Sequence, residues 1–244
     1  MTIFLAGGAP TTPLAEAYDQ FVQEAQDYGD RVAIAVLGSQ AHAAAEVPVY
    51  AEPVLRRWPQ AQIEPVWLVG ADTVWPEAPE TLAGLIVAGE VTSTVLESLL
   101  PVRDVLARLV HRDVPYFGYS AGVSVAARHA IVGGWRHQGR QIAPESSAEG
   151  CEALTIWEGL GLLGVTTQAH ADTAGLLDRA VAALQVGPSV SALLIDEDAC
   201  LTIDAVTGAT TVTGTGRVTW LARHGDQIVL RFAYPRDSAH ADGD

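Results

Sequence analysis

The chain has 244 residues, of which 49% are hydrophobic and 18% are charged. This composition is typical of a globular protein with a sizeable core and excludes an intrinsically disordered chain. The net charge of -15 excludes nucleic acid and anionic membranes as expected partners, because both would repel the protein.

The amino-terminal half alternates between short apolar runs and helical patterns. The first predicted helix, "LAEAYDQFVQEAQDY", has an apolar face formed by Leu14, Tyr18, Phe21, Val22 and Ala25. A broken helix is predicted for "PVYAEPVLRRW", and Pro101 is expected to interrupt the helical stretch 92–113. Between these helices, strands are predicted for "TIFLAGG", "RVAIAVLG", "IEPVWLVG", "GLIVAGE" and "VPYFGYS". This order predicts an α/β fold in which a mostly parallel central sheet carries helices on both faces.

The pattern changes after residue 132. The stretch "GGWRHQGRQIAPESSAEG" indicates a loop or an irregular hairpin, "LGVTTQAH" a strand, and "TAGLLDRAVAALQ" a helix. Extra carboxy-terminal strands are predicted for "SALLIDEDACLTID", "ATTVTGTG" and "VTWLARHGDQIVLRF", the last with a Gly-Asp turn. The sequence contains no recognisable linker or internal repeat. We therefore expect a single domain over residues 1–236 and a disordered tail over residues 237–244.

Several classes of chemistry are excluded by residues that the sequence lacks. All basic residues are arginine, so a Schiff-base lysine, a P-loop lysine and a lysine general base are excluded. The two cysteines, Cys151 and Cys200, lack the spacing of a metal site and favour a reducing compartment. The start "MTIFLAGGAP" is interpreted as a strand rather than a signal peptide, and no run of 18 apolar residues predicts a transmembrane helix. We therefore expect a cytoplasmic protein with no metal or organic cofactor.

The segment "VPYFGYSAGVSVAARHA" places Ser120 between Gly118 and Gly122, where a predicted strand meets a predicted helix over 121–130. A Gly-x-Ser-x-Gly turn in this context is a nucleophile elbow, which exposes the serine at the end of a strand. The helix that follows offers backbone N–H groups to a developing negative charge. A tight turn with a serine N-cap would have the same local sequence, so the assignment depends on partners elsewhere.

A serine nucleophile needs a base, and the chain offers His42, His111, His129, His137, His170, His224 and His240. His129 is predicted to lie on the same helix as Ser120 but too far along it to reach the hydroxyl. His240 falls in the predicted tail, and His111 at a helix end. His170 follows the strand "LGVTTQAH" and is expected at the edge of the sheet where ligand sites of α/β folds lie. We predict His170 as the base.

The base in turn needs an acid that orients it. The stretch "LLIDEDA" offers Asp196, Glu197 and Asp198 directly after an apolar run. Residue patterns alone leave open which of the three faces His170, and a solvated turn would have the same composition. The order serine, histidine, acid differs from that of an α/β-hydrolase, in which the acid precedes the histidine.

These motifs resemble the serine peptidase family of dipeptidase E and cyanophycinase. The resemblance rests on "GYSAG", on the strand that ends in "QAH" and on "IDEDA", with "GGWR", "WEGLGLL" and "GTGRV" as further similar pieces, and it covers most of the chain. It implies a fold like that of class I glutamine amidotransferases, a flavodoxin-like sandwich. It also implies cleavage of small peptides without a cofactor, and a homodimer.

Carried over residue by residue, the resemblance implies Ser120 as the nucleophile, His170 as the base and Glu197 as the acid. The implied oxyanion donors are the backbone N–H groups of Gly89 and Ala121.

The sequence departs from the family at two places. Family members have Asn or Asp after the glycines where this chain has Glu90, and arginines after the histidine where this chain has "HADTAGLLDR", which keeps only Arg179. Glu90, Asp172 and Arg136 of the loop "GGWRHQGR" are the candidate substrate contacts. Specificity for an acidic residue needs a charge-assisted partner, so we expect the residue preference before the scissile bond to be altered.

Two other functions are compatible with the elbow. An α/β-hydrolase esterase would use the same elbow with a base near the carboxyl terminus, for which His224 is the candidate. A catalytically silent or ligand-binding member of the same fold is the other alternative, which Glu90 and the missing arginines suggest.

Overall fold

The computed structural model describes residues 1–10, 12–38 and 40–235. The predicted tail, residues 237–244, lies outside the described residues. Within the described ranges, no helix is both long enough and apolar enough to cross a membrane.

The strands of the described chain are β1 Thr2–Ala6, β2 Arg31–Leu37, β3 Gln62–Leu68, β4 Gly84–Gly89, β5 Tyr116–Ser120, β6 His129–Gly133, β7 Arg136–His137, β8 Arg140–Gln141, β9 Thr155–Glu158, β10 Thr166–Gln168, β11 Ser191–Ile195, β12 Ala199–Asp204, β13 Thr210–Gly214, β14 Val218–His224 and β15 Gln227–Ala233. The α-helices are α1 Ala15–Ala25, α2 Gln40–Arg57, α3 Thr92–Leu99, α4 Arg103–His111, α5 Ala121–Ala126 and α6 Leu177–Val186.

A seven-stranded sheet in the order β13-β12-β1-β5-β4-β2-β3 forms the centre of the fold. Five adjacent strands run parallel, in the order β1, β5, β4, β2 and β3. Strand β12 pairs antiparallel with β1. The predicted α/β fold with a largely parallel central sheet and extra carboxy-terminal strands is thus confirmed.

Helices cover both faces of this sheet, as predicted. Because side chains alternate along a strand, Phe4 of β1 packs with α1 and α2 on one face, whereas Ile3 packs with α3, α4 and α5 on the other. The predicted apolar face of α1 is buried against the sheet. Phe117 stacks between Phe4 and Tyr119 at centroid distances of 5.2 and 4.7 Å, which makes the α1 side an aromatic layer.

A second sheet, β10-β11-β14-β15, packs against α6. Strand β10, which precedes His170, belongs to this second sheet and runs parallel to β11. The chain then crosses to the central sheet between β11 and β12, and the acidic turn 196–198 lies at this crossing. This topology brings the end of β10 and the acidic turn to the same edge.

The structure corrects two predicted helices. The helix after Ser120 ends at Ala126 rather than near residue 130, and His129 begins β6, because backbone pairing of β6 with β9 replaces the helical hydrogen bonds. The stretch predicted as a broken helix lies in the continuous helix α2, which includes Pro48 and Pro53. The predicted interruption at Pro101 is confirmed by a 3-10 turn between α3 and α4.

Candidate active site

Ser120 ends strand β5, and helix α5 begins at the next residue. The serine has φ 51° and ψ −113°, a conformation that a residue with a side chain rarely adopts and that costs on the order of 1–3 kcal/mol. Such strain persists only where the surrounding structure holds it. The predicted elbow therefore has the backbone geometry that exposes a nucleophile.

The two glycines of the elbow allow a close approach of backbones. A Cβ atom on Gly122 would lie 2.2 Å from the carbonyl oxygen of Val87 on β4, and one on Gly118 would lie 2.6 Å from the carbonyl oxygen of Gly122. Both positions exclude any side chain, because real Cβ contacts stay beyond 3.0 Å. The glycine spacing is thus a packing requirement of the turn.

We expect Gly122→Ala to lower the free energy of unfolding by about 2–3 kcal/mol, because the methyl group has to push α5 away from β4. The measurement is urea denaturation of the wild type and the variant. Gly164→Ala is the matched control, since a Cβ at Gly164 would meet no atom within 4 Å. Equal unfolding midpoints for the wild type and Gly122→Ala would contradict the packing argument.

His170 connects the serine to an acid. Its Nε2 atom lies 2.9 Å from Ser120 Oγ, and its Nδ1 atom lies 2.5 Å from Glu197 Oε2. His170 has a positive φ of 52°, so the backbone of His170, like that of Ser120, is held in a strained conformation. The side chains of His170 and Glu197 remain about one-third exposed, at 34% and 36%, so the contacts are reachable from solvent.

Neighbouring strands bring these groups together. Gln168 of β10 pairs with Leu194 of the parallel strand β11, so the residues that follow the two strands leave the second sheet at the same edge. The backbone N–H of His170 donates to Gly7 O at 2.9 Å, which ties the histidine to the end of β1. A Cβ on Gly8 would lie 2.5 Å from Glu197 Oε1, so the glycines after β1 leave the space that Glu197 occupies.

Two further residues hold Glu197, and sequence reasoning missed this role for both. Thr173 Oγ1 donates to Glu197 Oε2 at 3.2 Å, and Asp172 Oδ1 accepts a hydrogen bond from the Glu197 backbone N–H at 2.9 Å. The only sequence signal for this role is that Asp172 and Thr173 lie within three residues of His170.

The structure also separates the three acids. Asp196 is buried and lies 3.3 Å from Arg217 Nε, and burial raises the pKa of its carboxyl group although Arg217 opposes the shift. Glu197 is the acid that contacts His170. Asp198 makes no side-chain hydrogen bond within the described residues.

Among the histidines whose side chains the structure describes, only His170 contacts Ser120; the candidates His42 and His240 lie outside these described side chains. His129 Nδ1 lies 3.2 Å from Ser189 Oγ, and His111 ends α4. His224 is exposed at the β14–β15 turn and lines neither cavity beside the serine. The geometry therefore does not bring together the residues that an esterase with His224 as base would need.

Two cavities adjoin Ser120 and share Glu90, Ser120 and His170. The first, which we call the Arg179 cavity, has a volume of about 340 Å³ and is lined mainly by polar side chains, among them Glu149, Gln168 and Arg179. The second, which we call the Glu46 cavity, has a volume of about 430 Å³ and is lined by Glu46, Tyr50 and Glu197 among others.

The predicted oxyanion donors lie beside the serine. Gly89 pairs with Ser120 across β4 and β5 and lines the Glu46 cavity, whereas Ala121 follows Ser120 and lines the Arg179 cavity. The N–H of Ala121 belongs to the first turn of α5, where backbone donors have no partner within the helix. Gly89 and Ala121 thus adjoin Ser120, and the role of their N–H groups as oxyanion donors stays a prediction.

Two predicted substrate contacts lie elsewhere. Arg136 pairs with Glu152 at 3.5 Å and its guanidinium lies 4.8 Å from the Trp135 ring centroid. Asp172 is engaged by the backbone of Glu197. Neither residue lines a cavity beside Ser120, so the geometry does not support their predicted contact with substrate. Glu90 lines both cavities.

Arg179 is buried, and each of its three guanidinium nitrogens has an acceptor within the protein. Its Nη1 group donates to Ser147 O at 2.6 Å, and with the Gln168 amide oxygen turned toward it, Nε and Nη2 lie 3.0 and 2.7 Å from that oxygen. Burial lowers the pKa of Arg179, and the carboxyl group of Glu149 opposes this shift. Burial raises the pKa of Glu149, whose Oε2 accepts the Thr92 N–H at 2.7 Å.

Comparison with known proteins gives similarity at the level of structure alone. No protein-family model matches the chain, and no curated protein matches its sequence. A peptidase from an acI-B1 Actinobacterium superposes with a TM-score of 0.60 at 16% identity, covering 96% of each chain. A Peptidase E protein from Listeria monocytogenes EGD-e superposes with a TM-score of 0.51 at 14% identity, covering 95% of this chain and 98% of that one. The chain therefore has a peptidase E-like fold.

Proposed function

We propose that the protein is a serine hydrolase that cleaves peptide bonds in small peptides through Ser120, His170 and Glu197. The observation that carries the proposal is the hydrogen-bonded chain from Ser120 Oγ through His170 to Glu197 Oε2, at 2.9 and 2.5 Å, at a strained strand-to-helix turn. The names of the two structural neighbours favour peptides over esters as substrates.

In the proposed reaction, Ser120 Oγ attacks the carbonyl carbon of the scissile peptide bond while His170 Nε2 takes the hydroxyl proton. Glu197 accepts the hydrogen bond from Nδ1–H, which keeps Nε2 in the form that accepts a proton and stabilises the imidazolium. The N–H groups of Gly89 and Ala121 donate to the oxyanion.

His170 then gives its proton to the leaving amine, and the C–N bond breaks to leave an acyl group on Ser120. In the second half, His170 takes a proton from water, the hydroxide attacks the acyl carbon, and the proton returns to Ser120 Oγ as the acid product leaves.

We expect a fluorophosphonate probe to label the wild-type protein on Ser120, because only an activated serine reacts readily with it. Mass spectrometry of the labelled peptide locates the site. Labelling is expected to disappear in Ser120→Ala and His170→Ala and to persist in His224→Ala.

Ser93→Ala is the matched serine control, because Ser93 on α3 makes no side-chain hydrogen bond in the part of the chain that the structure describes. If the wild type were not labelled on Ser120, the hydrolase proposal would be wrong and a ligand-binding member of the fold would be favoured. Labelling that depended on His224 rather than His170 would favour the esterase.

A further inference from the structure

Negative charge is concentrated in the Glu46 cavity. Glu46, Glu90 and Glu197 line it, and no arginine is found among the described residues that do so. Glu197 is engaged by His170 and Thr173. In contrast, Glu46 and Glu90 make no hydrogen bond or ion pair within residues 1–10, 13–38 and 45–235, the residues whose side chains the structure describes. Two carboxylates without a partner in this part of the chain thus face an open volume beside Ser120.

Tyr50 lines the same cavity as these two carboxylates. Its ring packs against Tyr119 at a centroid distance of 5.2 Å. Burial raises the pKa of Tyr50 to about 12, and the carboxylates of Glu46 and Glu90 add to the shift. Glu46 and Glu90 are 44 positions apart in the sequence, yet both place negative charge near Tyr50. This part of the cavity is therefore unfavourable for an anion.

The Arg179 cavity does not offer a compensating site for an acidic side chain. The guanidinium of Arg179 already donates to Ser147 O and Gln168, and the Glu149 carboxyl group acts on it electrostatically. An aspartyl or glutamyl side chain would compete with these acceptor oxygens for the guanidinium and would lie near the Glu149 carboxyl group. The arrangement favours an uncharged group in this cavity.

We propose that the substrate presents a cationic nitrogen group, an ammonium or a guanidinium, to Glu46 and Glu90. The inference rests on the proposed function, because it names the substrate class of the same site. A cation there forms charge-assisted hydrogen bonds with both carboxylates. The volume of about 430 Å³ lies in the range of sites that enclose small molecules.

The same cation accounts for a negative side chain next to a proposed oxyanion donor. Glu90 directly follows Gly89, so its charge opposes the negative oxygen that develops during attack on the carbonyl. A bound ammonium group offsets the Glu90 charge, and a substrate without such a group does not. Glu90 therefore discriminates between substrates in the transition state as well as in binding.

A cationic nitrogen group could belong to a free amino terminus or to a basic side chain. Two sets of peptides distinguish these sources. One arm compares tetra-alanine with its acetylated form. The other compares acetylated tetrapeptides that carry a single lysine, norleucine or glutamate. Binding is measured by calorimetry on the Ser120→Ala variant, so that no turnover is needed.

We expect the cationic peptides to bind about ten-fold more tightly than their neutral or acidic counterparts, and Glu46→Gln or Glu90→Gln to lower that preference about three- to five-fold each. The double variant is expected to lose the preference. Glu16→Gln on the exposed surface of α1 is the charge-matched control and is expected to keep it. A preference confined to the first arm assigns the amino terminus, and one confined to the second assigns the side chain.

Equal affinity for cationic and acidic peptides, no binding of any cationic peptide, or a preference that survives the double variant would overturn the inference. The fluorophosphonate labelling experiment distinguishes a failure of this inference from a failure of the proposed function. Ser120 labelling and peptide cleavage without a preference for cations would overturn this inference alone. A preference for cations without labelling of Ser120 would overturn the hydrolase alone.

Discussion

Ser120→Ala is expected to lower kcat for peptide hydrolysis on the order of 10⁵-fold or more, because the variant lacks the oxygen that attacks the carbonyl. Its KM is expected to change little, since both cavities keep their lining. The measurement is single-peptide kinetics by mass spectrometry, with a peptide that the wild type cleaves, selected from a library of dipeptides and tripeptides.

The fold of the Ser120→Ala variant is expected to be intact. Alanine keeps the Cβ atom and the backbone at this position, and removes a hydroxyl that only His170 contacts in the described structure. Circular dichroism and the urea midpoint therefore accompany the kinetics. If a folded Ser120→Ala protein kept more than about a hundredth of the wild-type rate, another residue would have to be the nucleophile.

Glu197→Gln is expected to lower kcat about 10³- to 10⁴-fold while leaving the protein folded. An amide at this position can donate an N–H to His170 Nδ1, which favours the tautomer whose Nε2 carries the proton and cannot accept one from Ser120. The variant also lacks the negative charge that stabilises the imidazolium. Fluorophosphonate labelling of Ser120 is expected to slow by a similar factor.

Asp198→Asn is the matched control for Glu197→Gln. The two acids are adjacent in the sequence and similarly half-exposed, but the Asp198 side chain does not contact His170 or line a cavity beside Ser120. Asp198→Asn is therefore expected to keep kcat within about two-fold of the wild type, as a surface substitution away from special features does. Equal losses in the two variants would mean that the charge of the turn, and not the contact with His170, matters.

The local sequence determined the features that depend on neighbouring residues. Apolar runs such as "RVAIAVLG" predicted buried parallel strands, because a strand covered on both faces has few polar positions. The apolar face of α1 follows from its helical spacing. Gly118, Ser120 and Gly122 predicted the turn that the structure shows, since only small residues fit where β5 passes into α5.

The sequence also singled out His170 and Glu197, but for an indirect reason. The position of His170 after an apolar run suggested the ligand-binding edge of a sheet, whereas Glu197 was chosen among the three acids only through the resemblance to the peptidase family. The structure brings them together by a different route, because β10 and β11 belong to the second sheet and the turn with Glu197 lies where the chain crosses to the central one. Strand order of this kind is a non-local property that local patterns do not encode.

Only the tertiary structure decided which charged groups surround the proposed nucleophile. Arg136 and Asp172 looked like substrate contacts in the sequence, yet one pairs with Glu152 and the other with the backbone of Glu197. Arg179 is engaged within the protein, and Glu46 reaches the site from α2. The sequence by itself determined the parallel strands of the central sheet, the elbow and the chemistry available to it. The packing of distant segments decided which charges face the substrate, because the charge of a site depends on neighbours in space.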